Sequence, residues 1–266
     1  MSITKHLVPF LALPLAACAA APGKVNSAPQ TRLVTVGIVG LNDFHGALEP
    51  PRTSVVMTDG KGGVQQLPAG GAAYLASAID QIRGQYRHSL AISAGDMIGA
   101  TQLSSSLFLD EPAIEVMNRI GLDFNAVGNH EFDRGRDELK RKQHGGCAQY
   151  TSLKPCRLEP FRGAQFGYLA ANSLEADGST LFPASAIRSF GKGRDRVKVG
   201  IIGLTLRTTA ELVSKDGLKG VRFVDEAATV NALVPRLKAQ GADAIVLAIH
   251  QGGYTKGEPD PGTCQN

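Results

Sequence analysis

Four polar strings in the chain carry side chains that bind divalent metals and move protons. They are Asn42-Asp43-Phe44-His45-Gly46, Gly95-Asp96, Gly128-Asn129-His130-Glu131-Phe132-Asp133 and His250-Gln251-Gly252-Gly253. Mixed carboxylate, imidazole and amide ligation suits Mn, Zn or Fe better than Ca, which prefers oxygen throughout. Asp96 offers two oxygens, enough to bridge two cations. Asp43 and His45 lie two residues apart, so on an extended segment they share a face and can reach one ion. Asn129 offers a neutral amide oxygen. His130 and Asp133, three apart, can hydrogen-bond in a loop or first helical turn, as an oriented general acid requires. Two cations about 3.5–4 Å apart would lower the pKa of a shared water. A Gly-Asp pair or a lone Asp-x-His is by itself as readily a plain turn. The string from Gly128 to Asp133 has little structural use directly after a buried strand.

Each string follows a short apolar run. Residues 33–41, 89–93, 124–127 and 244–249 read as buried strands, with the Gly-rich ends as tight loops. A helix over roughly 110–120 starts at Asp110-Glu111-Pro112 and stops at Gly121. That makes strand, helix, strand between Asp96 and Gly128. The strings fall at strand carboxyl ends, where open α/β sheets place their ligands. Ala73, Leu75, Ile79 and Ile82 give residues 72–86 a helix-like apolar face. Residues 136–143 form a charged helix end, and 166–171 a strand ending in Asn172. Residues 184–190 and 197–204 read as a strand pair. The Gly191-Lys192-Gly193 between them is a turn, since no helix follows it as a phosphate loop would need. Residues 225–240 read as a helix capped by Asp225 and kinked at Pro235. Residues 50–68 read as a hairpin or excursion.

Of the 266 residues 43% are hydrophobic, which supplies core for one large domain or two small ones. The net charge of +4 demands neither nucleic acid nor an acidic membrane. Trp is absent and aromatics are only 6%, so no stacking platform for bases announces itself. Two local basic clusters, 134–142 and 188–198, read as solvated faces and loops.

Residues 1–17 read as an export signal. Lys5 and His6 precede an apolar run, broken by Pro9 and Pro14, that is too short to span a bilayer. Leu15-Ala16-Ala17-Cys18 resembles the bacterial lipobox, in which Cys18 would bear the lipid. Cleavage after small residues near Ala19 to Ala21 is the alternative. Residues 18–32 then form a flexible tether, and 33–266 the folded domain. In an exported protein the spacing of Cys147 and Cys156 suits a local disulfide. Cys264 is left over.

In order, approximate spacing and strand-end placement, the four strings resemble the motifs of the dinuclear calcineurin-like metallophosphoesterases. The likeness runs over residues 33–263. It is nearest to the bacterial periplasmic 5'-nucleotidases, the branch that includes UDP-sugar hydrolases and cyclic-nucleotide phosphodiesterases. The resemblance implies an α/β fold, a four-layer α-β-β-α sandwich. It also implies roles. Asp43 and His45 would hold one ion, Asp96 would bridge both, and Asn129 and His250 would hold the second. His130, oriented by Asp133, would stabilise the phosphoryl charge or protonate the leaving oxygen, and Asn129 would also touch a phosphate oxygen. A metal-bridging hydroxide would attack phosphorus in line with the leaving alkoxide.

The family also has a Gly-His-x-His motif downstream and a second, nucleoside-binding domain, neither of which occurs before Asn266. The expectation is therefore a sandwich truncated at its C-terminal end, with the second metal site incomplete. The expected activity is metal-dependent hydrolysis of phosphate monoesters, nucleotides above all, in nucleotide catabolism. The alternatives are an inactive lipid-anchored remnant and a thiosulfohydrolase-like hydrolase of the same superfamily. The expected partners are a small phosphate ester and a membrane reached through the lipid anchor. Neither a nucleic-acid polymer nor an obligate protein partner is expected. The expected place is the outer membrane, facing the periplasm or the cell surface, or otherwise the soluble periplasm.

Overall fold

The computed structural model describes residues 33–51, 55–58, 63–67 and 69–252. The stretches read as an export signal (1–17) and a tether (18–32), with Cys18 read as the lipid site, and Cys264 lie outside the described residues. In chain order the first elements are β1 (Gly37–Leu41), β2 (Val55–Thr58), β3 (Val64–Leu67), α1 (Ala72–Arg83), β4 (Ser89–Ser93), α2 (Leu103–Ser106), α3 (Glu111–Ile120), β5 (Phe124–Ala126) and α4 (Arg136–His144). There follow β6 (Gly167–Leu169), β7 (Ser173–Leu174), β8 (Ser185–Phe190), β9 (Val197–Thr205), α5 (Thr209–Leu212), α6 (Lys215–Leu218), β10 (Arg222–Phe223), α7 (Glu226–Ala239) and β11 (Ala244–His250). The first strand is shorter than the apolar run implied. Its ladder opens where Gly37 meets Ser89, and Leu33 is 90% exposed.

Two sheets carry the architecture. One is four-stranded and parallel, in the order β1-β4-β5-β6. The other has the order β11-β9-β8, with β11 parallel and β8 antiparallel to β9. Side chains alternate along each strand. Leu90, Ile92, Phe124, Ala126 and Leu169 of the first sheet meet Val199, Ile201 and Ala248 of the second in one apolar cluster. The opposite face of the first sheet sends Val39, Ala91 and Tyr168 against Ile79 of α1, Ile114 and Met117 of α3 and Leu139 of α4. The outer face of the second sends Ile202 and Leu204 against Leu237 of α7. The layers are thus helices, sheet, sheet, helix. Strands buried on both faces read as unbroken apolar runs, which is why the sequence marks them clearly. Each large side chain so buried contributes about 1.5–3 kcal/mol. The sheets approach closely at Gly203, where a Cβ would stand 2.4 Å from Leu169 Cβ.

Asp225 caps α7 by accepting a hydrogen bond from the Ala228 amide at 2.8 Å. No helix among the described residues is long and apolar enough to cross a membrane.

The basic cluster over 134–142 is not a solvated face. The Arg141 and Lys142 side chains are each 1% exposed. Arg141 donates to Glu138 at 2.6 and 2.9 Å and to Glu111 of α3 at 2.8 Å, and Lys142 also donates to Glu138. Glu138 lies one helical turn before its two cations, and Glu111 arrives from another helix. Counting cations along the chain omits both. The cluster over 188–198 does stay near the surface, with Arg188 half-exposed beside Asp123.

Cys147 and Cys156 are joined by a disulfide. The loop it closes docks on α3 through the Cys156 amide, which donates to Glu111 at 3.1 Å. Chain entropy for so short a loop gives about 2–3 kcal/mol of stabilisation. Reduction is therefore expected to lower the melting temperature by roughly 5–10 °C. Calorimetry with and without dithiothreitol checks this, and an unchanged melt would mean the loop adds nothing to global stability.

Candidate metal centre

The site is built on left-handed backbone. Asp43 and His45 have φ of 51° and 46°, and Asp96 has 54°. The segment holding Asp43 and His45 is thus a tight turn and not the extended strand end that residue alternation implied. The two side chains converge because the turn curls them together. It is held by three amides, those of Asp43, His45 and Gly46, each donating at 3.0 Å to the carbonyls of Gly95, Asp96 and Met97. Non-glycine residues in this region cost about 1–3 kcal/mol each and collect where surroundings over-determine them, commonly at functional sites.

Asp96 sits at the centre, 2% exposed. Its Oδ1 accepts from the His130 amide at 2.9 Å. Its Oδ2 lies 3.0 Å from His250 Nε2 and 3.8 Å from His45 Nε2. His45 Nε2 is also 3.6 Å from Asp43 Oδ1, and His250 Nε2 is 3.1 Å from Asn129 Oδ1. Gly128 lets the two loops close, since a Cβ there would fall 2.1 Å from Asp96 Oδ1.

Two imidazoles are anchored in the same way. His45 Nδ1 lies 2.8 Å from the Gly99 carbonyl, and His250 Nδ1 lies 3.1 Å from the Ala94 carbonyl. A proton donated to the backbone from Nδ1 leaves Nε2 with a lone pair aimed at carboxylate oxygens. That is how metal-binding histidines are oriented. Lone pairs and carboxylates facing one another call for a proton or a divalent cation between them, so this donor set fits divalent metal. Two groups of possible ligand atoms each lie within 4.8 Å of one another: His45, Asp96 and His130, and Asp43, Asp96 and His250. Asp96 belongs to both.

Electrostatics follow the packing. Burial pushes Asp96 up, but the hydrogen bond and charge of His250 overcome it and hold the carboxyl below its ordinary value. Burial pulls His250 down, and Asp96 more than reverses it. His130 Nδ1 meets Asp133 Oδ2 at 2.8 Å, and the rings of His130 and His45 stand edge to face with centroids 4.9 Å apart. Burial lowers His130, yet the Asp133 hydrogen bond and charge leave it above the usual histidine value.

The residues singled out in the sequence, Asp43, His45, Asp96, Asn129, His130, Asp133 and His250, gather in this one place. The structure adds Glu131, which sequence reasoning passed over as part of a polar string. It is 2% exposed, and burial followed by the Asp96 charge raises its carboxyl to about 7. Within that string nothing separates it from Asp133, the exposed acid two residues on.

No family model matches the chain. An uncharacterised Acinetobacter calcoaceticus protein from the pqq-V 5' region is 51% identical over 162 residues, which are 59% of this chain and 79% of that protein. Endonuclease YhcR of Bacillus subtilis is 34% identical over 235 residues, 88% of this chain and 18% of that protein. The NAD 5'-nucleotidase of Haemophilus influenzae is 30% identical over 232 residues, 85% of this chain and 34% of that protein. The solved structure of Haemophilus influenzae NAD nucleotidase superposes with a TM-score of 0.59 at 28% identity, covering 81% of this chain and 34% of that one. The chain thus spans about a third or less of the length of these two named enzymes.

Proposed function

Since the chain belongs to the 5'-nucleotidase family of metallophosphoesterases, we propose that it is a metal-dependent hydrolase of phosphate monoesters with nucleotides as substrates. The observation that carries this reading is Asp96, a buried carboxylate common to both groups of possible metal ligands. Asp43 and His45 would hold one divalent ion, Asn129 and His250 the other, and Asp96 both. The mixed donors suit Mn, Zn or Fe. Such ions would supply a water activated at neutral pH and positive charge against the phosphate oxygens.

The rest falls to the chain's own side chains. Asn129 would steady a phosphate oxygen. His130, whose protonated form Asp133 favours, would give its proton to the leaving oxygen or offset the charge gathering on the phosphoryl group. The disulfide suits an oxidising compartment. With the apolar run ending at Cys18, it supports export and attachment to a membrane through a lipid.

The test is turnover of an aryl phosphate by the purified chain with added Mn, beside Asp96→Asn. Turnover that needs Mn and vanishes in the variant is expected. A panel of 5'-nucleotides, NAD and DNA would then fix the substrate class. Turnover indifferent to either Mn or the substitution would sink the proposal. A folded chain that binds no Mn would favour the inactive remnant.

A further inference from the structure

We infer that Glu131 is the positioning residue of this metal centre. Its buried carboxylate clamps the loop carrying Asp96 to the loop carrying Asn129 and His130, and so sets where the shared carboxylate stands. The inference rests on the proposed metal-dependent function.

Both carboxylate oxygens are fully engaged. Oε2 accepts from the amides of Asp96 at 2.9 Å and Gly128 at 2.6 Å. Oε1 accepts from the Met97 amide at 2.9 Å and from Asn125 Nδ2 at 3.1 Å. A carboxylate offers about four lone-pair sites, and here four N–H groups fill them. Each of these donors is neutral. A buried acid held this way is not half of a direct ion pair, although its charge also acts on His130 and His250. It touches both loops through their backbones. Asp96 and Met97 leave the end of β4, while Gly128 leaves the end of β5. The carboxylate fastens them side by side, where Asp96 Oδ1 would meet any Cβ on Gly128.

The conformation it fastens is one the chain does not adopt freely. Asp96 has a left-handed φ of 54°, which persists only where the surroundings fix it. Two of those fixings come from Glu131, at the Asp96 amide and at the next one. Groups that orient a metal-binding carboxylate without touching the ion typically change metal affinity by about 10–100-fold when removed. Glu131→Gln keeps the shape but sets an NH2 group against a backbone N–H that needs an acceptor. At least one hydrogen bond of the clamp must open.

The measurement is Mn affinity by calorimetric titration of the full chain, for wild type, Asp96→Asn and Glu131→Gln. It is made well below each melting temperature, with folding verified by circular dichroism. The expected result is binding by wild type and affinity weakened about 10–100-fold in Glu131→Gln. Unchanged Mn affinity in a folded Glu131→Gln chain, even one that melts earlier, would overturn the inference and leave Glu131 a plain stability residue. Failure of the wild type to bind would overturn the metal-dependent reading itself, and the inference with it. If Glu131→Gln does not fold, hydrogen exchange in the wild type decides. The amides of Asp96, Met97 and Gly128 are expected to exchange slowly, and more slowly together once Mn is added. Rapid or unrelated exchange at the three would refute the clamp.

Discussion

Replacing His130 by Asn is expected to lower kcat by about 10²–10⁴-fold, the range for loss of a positioned general acid. KM should stay within a few-fold, because the side chain acts on the transition state more than on the bound substrate. The geometry supports this. His130 leans on Asp133 through Nδ1 at 2.8 Å, while its own amide holds Asp96 at 2.9 Å. The substitution removes the ring and keeps the amide, so the centre should still bind Mn. The leaving group separates the two chemical roles. A nitrophenolate departs without help, whereas the alkoxide of a nucleotide needs a proton. If His130 is the acid, the defect will be much larger on nucleotides than on nitrophenyl phosphate. If it offsets phosphoryl charge instead, both substrates will suffer alike. Asp133→Asn should show a weaker form of the same pattern. A His130→Asn chain with normal kcat on nucleotides would remove the residue from the chemistry.

The parts of the molecule that were legible in the sequence are those in which composition and position coincide. The strands ending near Asp96 and Gly128 are buried on both faces, and the edge strand ending at His250 is half-buried but apolar throughout, so their runs stand out and the polar residues after them fall at the carboxyl ends of the strands. The turn over Asp43 and His45 was not legible. Left-handed φ at residues other than glycine leaves no composition signal, even though Asp and His tolerate it better than most. Glu131 was hidden for another reason. Its partners are amides of residues 96, 97 and 128, and backbone amides look the same in every sequence. The α4 cluster was misread because the carboxylate that answers Arg141 from outside the helix, Glu111, sits thirty positions earlier. In each case the missing information was a contact between distant segments, which pattern and spacing do not encode.

That α4 cluster gives the largest expected effect on stability. Glu138→Gln is expected to cost about 3 kcal/mol, the lower part of the range for stripping one partner from a buried ion pair. The lower part applies because both stranded cations have relief. Arg141 keeps Glu111 at 2.8 Å. Lys142, brought by burial to about 8 with Glu138 in place, falls further without it and sheds its proton near neutral pH. Urea melts at pH 7 measure the loss, and a cost under about 1 kcal/mol would mean the network is not buried in solution. Acid provides a second check. Burial raises Glu138, but the Arg141 hydrogen bond and the Lys142 charge win and set its carboxyl below 4.5. A carboxyl depressed in the folded state stabilises above its unfolded pKa of about 4.3, and that contribution fades as pH falls through the depressed value. The part of the gap between wild type and Glu138→Gln that comes from the Glu138 titration should therefore be full down to about 4.3 and narrow below it. Adding Lys142→Met to Glu138→Gln removes the stranded amine and keeps most of its volume. The double variant should regain about 1–2 kcal/mol over the single one, a coupling expected only of groups that share one buried site.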